Sequence, residues 1–417
     1  MKSKKNEIEN NLKQDNDSLY KEVKSKNLFQ KSEVIVLIII TCVIGVILGI
    51  FLGYNIKKSS TKKYSQDLEE FIKNYNYIVE NNIADVSNTD LIKGAIEGML
   101  STFEDDYSYV LDDDEQDLFN IKLKGEYEGI GVQIVTTDDG KVYIYSVFEN
   151  SSAFQAGLKV GDQIIKVDDV DMSDKNSTDI ANYIKESSKN KFEITVLREE
   201  EEIKVEVERN LVTINSVYSE MIEEDDRKIG YIYLNIFSST TTKQFKTKLE
   251  ELEKDGMDSL IIDVRYNNGG HLTTATGIIS LFLDSTNIIY QTDKNGVVEK
   301  FYSSGNETKK YPIVVLQNKS SASASEMLSA ALKEKYGAKI VGEDSYGKGT
   351  VQELITLSDG TEYKFTTKKW LTPNGNWING KGVSVDYQVS LSEDYFSNPT
   401  DENDNQLKKA IDVLKNS

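Results

Sequence analysis

The feature that most restricts this chain is a run of 23 residues without a charge, residues 34–56 (VIVLIIITCVIGVILGIFLGYNI). An α-helix of about 20 apolar residues spans a hydrocarbon layer of ~30 Å. The run therefore predicts one transmembrane helix rather than a helix of a soluble core. A cleaved signal peptide fits less well: residues 1–33 form a polar tail, the apolar run is too long, and no A-x-A site follows it. Lys21, Lys24, Lys26 and Lys31 precede the run closely, and Lys57, Lys58, Lys62 and Lys63 follow it. The positive-inside argument ends in a tie.

With 417 residues the chain has room for two or three domains. A formal charge of −20 speaks against nucleic acid as a partner, since phosphate binding needs clustered Lys and Arg. There is one cysteine, Cys42, and one histidine, His271. An internal disulfide and a Cys/His zinc site are both excluded, and neither a metal nor a cofactor is expected. A hydrolase built on this chain must use His271 or work without histidine.

Patterning divides the rest. Residues 57–120 read as a helical N-terminal region. There SNTDLIKGAIEGMLSTF puts Leu91, Ile92, Ala95, Ile96, Met99 and Leu100 on one stripe behind Ser87, Asn88 or Thr89 as N-cap, and an acidic turn follows at 112–115. Residues 121–210 change to short strands, with a helix STDIANYIKESS before a hairpin of residues 192–198 and 203–209. In residues 211–395 strands and helices alternate, which predicts α/β units with at least some parallel pairing. Residues 396–417 read as a C-terminal helical tail. The expected fold class is multi-domain α/β, with one transmembrane helix, an N-terminal helical segment, a small β module and an α/β core.

Three constellations carry chemistry. In KGEYEGIGVQI (124–134), Gly129 and Gly131 bracket Ile130, with Val132 after them. Glycines there let successive N–H groups turn toward one spot, which suits a carboxylate, although a plain β-turn has the same composition. In NKSSASASEMLSAAL (318–332) an apolar strand runs through small residues into a helix. A nucleophile at such a turn is exposed beside the free N–H groups of a helix start. Ser323 and Glu326 also fit a capping box, and Ser320, Ser321 and Ser325 compete for any special role. In VGEDSYGKGTVQELITL (341–357), the phosphate-loop pattern nearly appears. It fails because Gly349 stands where the magnesium-binding hydroxyl belongs and a strand, not a helix, follows.

Together, a serine at a strand-to-helix turn and a downstream G-K-G lysine suit a serine–lysine dyad. Lysine acts as a base only when neutral, which requires burial. Gln352 near it is consistent with that, because a carboxylate there would hold the ammonium charged.

The run SSAFQAGLKVGDQIIKVDDVDM, taken with the Gly129–Val132 turn, resembles a PDZ domain, with Ser152 where that family usually has proline. SASASE and GKGTVQ resemble the C-terminal processing peptidases of family S41. The likeness extends through DYSYVL, IIDVRYNNGG and TTKKWLTPNGNWINGKGV, over about residues 68–389. By this resemblance Ser323 is the nucleophile, Lys348 the base and Gln352 its positioner. Gly269 or Gly270, with Ala324, would form the oxyanion hole, and Gly129, Ile130, Gly131 and Val132 would hold a substrate C-terminus. Asn268 replaces the usual proline, and His271 stands where an aliphatic residue is common. The resemblance implies an endopeptidase acting on protein C-termini outside the cytoplasm, and dimerisation through the helical ends, residues 64–100 and 402–416. The rival expectation is a membrane-tethered PDZ scaffold with an inactive protease domain; loss of Ser, Lys or Gln would mark it, and all three are present.

Overall fold

The computed structural model describes residues 9–11, 13–17, 41, 45, 65–84, 86–111 and 121–417. Apart from Thr41 and Gly45, the apolar run 34–56 lies outside them, as does the acidic turn at 112–115. No helix among the described residues is long and apolar enough to cross a membrane. The chain forms two compact units, Met1–Asn88 and Thr89–Ser417.

The first unit holds α1 (Gln66–Asn81), started by Ser65, whose Oγ accepts the Leu68 N–H. No residue of α1 is buried, and Leu68, Phe71, Ile72 and Ile78 are exposed on it. Next come α2 (Asn88–Ser101), where only Leu100 of the predicted stripe is buried, and a short strand β1 (Tyr109–Val110).

The β module begins with β2 (Glu126–Gly129), β3 (Val132–Thr136) and β4 (Val142–Val147). A short helix α3 (Ser152–Gln155), β5 (Gln163–Val167), β6 (Val170–Asp171) and α4 (Ser177–Glu186) follow. The predicted hairpin is β7 (Lys191–Arg198) with β8 (Glu201–Glu208), and the chain leaves through β9 (Asn210–Thr213). The sheet order is β3-β4-β5-β7-β8, with β6 on β5. Alternation along β7 turns Phe192, Ile194 and Val196 inward, where they meet Ile144, Ile164 and Ile180. A capping box starts α4: Asp179 N–H donates to Asn176 Oδ1 (2.9 Å) and Asn176 N–H to Asp179 Oδ2 (3.3 Å). Because β2 and β9 pair antiparallel, entry and exit lie side by side.

The core follows as β10 (Val217–Glu224), β11 (Arg227–Leu234), α5 (Thr241–Lys254), β12 (Ser259–Asp263) and α6 (Leu272–Ile279). It continues with β13 (Ile288–Lys294), β14 (Val297–Tyr302), β15 (Ile313–Gln317), α7 (Ala324–Ala331) and β16 (Lys339–Gly342). Last come β17 (Thr350–Thr356), β18 (Glu362–Leu371), β19 (Tyr387–Gln388), α8 (Glu393–Ser397) and α9 (Asn405–Lys415). The main sheet runs β10-β11-β12-β15-β16-β19, antiparallel at its first pair and parallel thereafter, as the alternation predicted. Every residue of SLIID and IVVLQ is buried, because a parallel sheet is covered on both faces. Phe245, Leu249, Ala275, Ile278 and Leu328 cover one face. On the other, Leu407, Ala410, Val413 and Leu414 of α9 meet Ile229, Ile261, Val314 and Leu316. The expected C-terminal tail is therefore built into the core, and its apolar stripe is spent on its own sheet rather than left for a second copy. A second sheet runs β1-β18-β13-β14, with β17 also on β18.

Candidate active site

The loops that follow β12, β15 and β16 leave the carboxyl ends of adjacent parallel strands, where open α/β sheets gather their sites. Side chains stitch these loops together. Ser321 Oγ donates to Val264 O (2.7 Å), Ala322 N–H to Asn267 O (3.1 Å) and Ser325 Oγ to the same oxygen (2.8 Å). Asn267 is itself fixed: its Nδ2 donates to Leu234 O and its Oδ1 accepts the Gly269 N–H, both at 2.8 Å. Tyr346 N–H reaches Ser321 O at 3.0 Å.

This pattern separates the serines. Ser321 and Ser325 are fully buried and occupied in binding loops together, whereas Ser323 is only half-buried. Ser323 also has φ 55° and ψ −111°, a region costly for a residue with a Cβ. It stands one residue before α7, beside the free N–H groups of the helix start. Gly269 approaches so closely that a Cβ on it would lie 2.9 Å from Ser323 Cβ and 3.0 Å from Ala324 N. The Gly269 N–H is used by Asn267, as above. Among the described residues, neither the Gly270 nor the Ala324 N–H donates to a protein acceptor.

Glu326 joins the serine and the lysine. Its carboxylate accepts Ser323 N–H (2.8 Å), Lys348 N–H (2.9 Å), Gly347 N–H (2.6 Å) and Ser345 Oγ–H (2.6 Å). Burial raises its pKa despite these four donors. The sequence showed Glu326 only as half of a capping box, and that half is made through the Ser323 N–H.

Lys348 is half-buried, with its carbonyl accepting Trp370 Nε1–H at 2.5 Å. Its Nζ lies 4.3 Å from the centre of the Tyr107 ring, and among the described residues it makes no hydrogen bond or ion pair. Burial first, and Lys364 second, bring its pKa down to about 8, against the opposing pull of Asp105 and Glu326. Gln352 lies on β17 close by in sequence, but its Nε2 donates to Thr350 Oγ1 (2.9 Å) and Thr366 Oγ1 (3.1 Å), not to Lys348. His271 precedes α6, its N–H bound to Phe237 O (2.7 Å); among the described residues its imidazole makes no hydrogen bond.

In the β module, Gly129 ends β2 and Val132 begins β3, an edge strand with one neighbour. Between them Ile130 is buried and its carbonyl accepts Ala153 N–H (2.9 Å), while Gly131 has φ +95°. A Cβ on Gly131 would lie 2.1 Å from Ser151 Cβ. Of the apolar positions on α4, Ile180 and Ile184 belong to the module's own core, and Tyr183 stays exposed.

A serine at a strained strand-to-helix turn, a half-buried lysine on a neighbouring loop and a small β module ahead of the core fit the class of PDZ-bearing serine hydrolases. The family description "Peptidase family S41" matches residues 228–389, "PDZ domain" residues 129–208 and "Activating protease CtpB N-terminal domain" residues 53–115. The chain is 35% identical over 353 residues to the carboxy-terminal processing protease CtpB of Bacillus subtilis (strain 168), covering 84% of this chain and 72% of that protein. It is 32% identical over 366 residues to CtpA of the same strain, covering 87% and 78%. Among solved structures, the photosystem II D1 C-terminal processing protease aligns at TM-score 0.47 and 25% identity, over 76% of this chain and 86% of that one. The chain belongs to peptidase family S41, as a serine protease of the C-terminal processing type with a PDZ domain.

Proposed function

We propose that Ser323 is the nucleophile and Lys348 the general base of an endopeptidase that cuts proteins near their C-termini. The observation that carries this reading is the Glu326 carboxylate, which holds the backbone N–H of both residues in one buried cluster. Ser323 Oγ attacks the peptide carbonyl while Lys348 Nζ takes its proton. The Gly270 and Ala324 N–H groups receive the oxyanion, both being uncommitted. Lys348 then gives the proton to the leaving amine, an ester on Ser323 remains, and water activated by Lys348 releases the acid. Gln352 turns from Thr350 and Thr366 to hold Lys348 during turnover.

The test uses the purified protein and an unfolded protein substrate. Ser323→Ala and Lys348→Arg are expected to lose activity by at least a hundredfold, the second because a guanidinium keeps its proton. His271→Ala is expected to retain activity. An active Lys348→Arg, or an inactive His271→Ala, ends the reading.

The same proposal covers recognition and place. Residues 129–132 hold a substrate carboxylate by backbone N–H groups, with the peptide added along the free edge of β3. Residues 34–56 anchor the protein in a membrane with the protease domain on the extracytoplasmic side. The exposed stripe Leu68, Phe71, Ile72 and Ile78 of α1 packs against a second copy. Protease added to intact cells digests the large domain if this orientation holds.

A further inference from the structure

The face of the Tyr107 ring, 4.3 Å from Lys348 Nζ, is held from several directions. Beyond it, β1 is zipped onto β18 with Tyr109 opposite Lys364, Val110 opposite Tyr363, and Leu111 N–H on Glu362 O (2.9 Å). Before it, Asp105 accepts Tyr107 N–H (3.2 Å) and Ser108 Oγ–H (2.5 Å), and Ser108 Oγ accepts Thr366 N–H (3.0 Å). At the ring's tip, Tyr107 OH donates to Tyr346 OH (3.1 Å). Thr366 is also the residue that takes Gln352 Nε2–H, so the segment carrying Tyr107 and the strand carrying Gln352 grip one residue of β18 from two sides.

We propose that Tyr107 is a positioning residue for the proton transfer: its ring closes the solvent side of Lys348 and keeps water from the amine. The proposal rests on Lys348 being the base. Around Lys348 stand Asp105 from the loop before β1, Glu326 from α7, Lys364 from β18 and the phenols of Tyr107 and Tyr346. Two carboxylates against one cation would hold the lysine protonated. Dehydration outweighs them, and burial is the leading cause of the lowered pKa. Asp105 is kept from relieving it, because its oxygens are taken by Ser108 and the Tyr107 N–H rather than by Nζ. The ring has a second, contrary effect, since a π face attracts an ammonium ion. The exclusion of water outweighs it, as burial leads the causes of the lowered pKa.

The pH profile of kcat/KM is measured with a quenched-fluorescence peptide bearing a free apolar C-terminus, for the full chain and its variants. The acid limb of the unaltered protein is expected near pH 8. Tyr107→Phe still excludes water and keeps the π face, and its limb is expected to stay in place; Tyr107→Leu excludes water without the π face, and its limb is expected to move slightly toward acid. Tyr107→Ser admits water, and its limb is expected to move up by about one pH unit. That costs roughly tenfold in kcat/KM at pH 7, recovered on the alkaline plateau. Tyr107→Val, a shorter apolar cap, moves the limb the same way by less and serves if the serine variant folds poorly. Merely structural damage would lower the whole profile without moving the limb. An unmoved or acid-shifted limb in Tyr107→Ser and Tyr107→Val overturns the proposal. Lys348→Ala keeps the two readings apart: if it is active the base assignment falls, and if it is inactive while the limb stays fixed only the tyrosine assignment falls.

Discussion

At the scale of the residue, Ser323 combines partial exposure with backbone strain. Its φ of 55° is one a glycine adopts freely and a serine does not. Ser323→Ala keeps the Cβ and the strain; Ser323→Gly releases it, offset in part by the greater freedom of glycine in the unfolded chain. The glycine variant is expected to be more stable than the alanine variant by about 1 kcal/mol, read by urea denaturation, with both inactive. Equal stabilities would mean the turn holds no strain. The motif SASASE made Ser323 legible as a candidate, and its resemblance chose the middle serine. The reason the other two are unsuited, their burial against Val264 and Asn267, depends on contacts with a loop 57 and 58 residues away in the chain and has no local signature. The four-donor role of Glu326 and the ring over Lys348 were hidden for the same reason, although Glu326 and Tyr107 both lie inside motifs that the sequence displayed.

At the scale of the element, α9 shows how a chain end supports a distant loop. Arg265, two residues past β12, donates to Asp263 through Nε and Nη2, and its Nη1 reaches Asp404 Oδ1 and Gln406 Oε1, both at 3.1 Å. The three charged side chains are nearly inaccessible, at 7%, 2% and 3% exposure for Arg265, Asp263 and Asp404. Asp404 also starts α9, accepting Gln406 N–H and Leu407 N–H on Oδ1. Arg265→Met leaves two buried carboxylates unpaired, and is expected to cost about 3–5 kcal/mol in denaturant unfolding. It is also expected to lower kcat, because the Gly269–Gly270 turn continues directly from Arg265. Asp404→Asn keeps the bonds that Oδ1 accepts but loses the acceptor that Oδ2 offers to Arg265 Nη2 at 2.8 Å, and is expected to cost less than Arg265→Met because one buried charge goes with it. A helical tail was legible over residues 396–417; its attachment was not, because Arg265 and Asp404 are 139 residues apart.

At the scale of the whole molecule, the strands and helices of the core were legible because continuous apolar runs such as SLIID and IVVLQ alternate with helical segments such as TTKQFKTKLEELEK. The joint between module and core was not, since it is a pairing of two unremarkable tetrapeptides, β2 and β9. At its root, Ile214 N–H donates to Gly125 O at 2.8 Å, and Ser239 N–H to Leu123 O at 2.8 Å. The two points where the chain crosses are thus already neighbours. A variant in which a short Gly/Ser turn replaces residues 126–213 is expected to keep a folded core and cleave a short peptide. It is expected to lose the preference for a free over an amidated C-terminus, which in the full chain should be about tenfold given a charge-assisted carboxylate contact. A preference retained without the module would place recognition in the core. For the protease, then, the module is a cassette clipped in at one hinge pin. Another module with the same two ends can be seated there without redrawing the core.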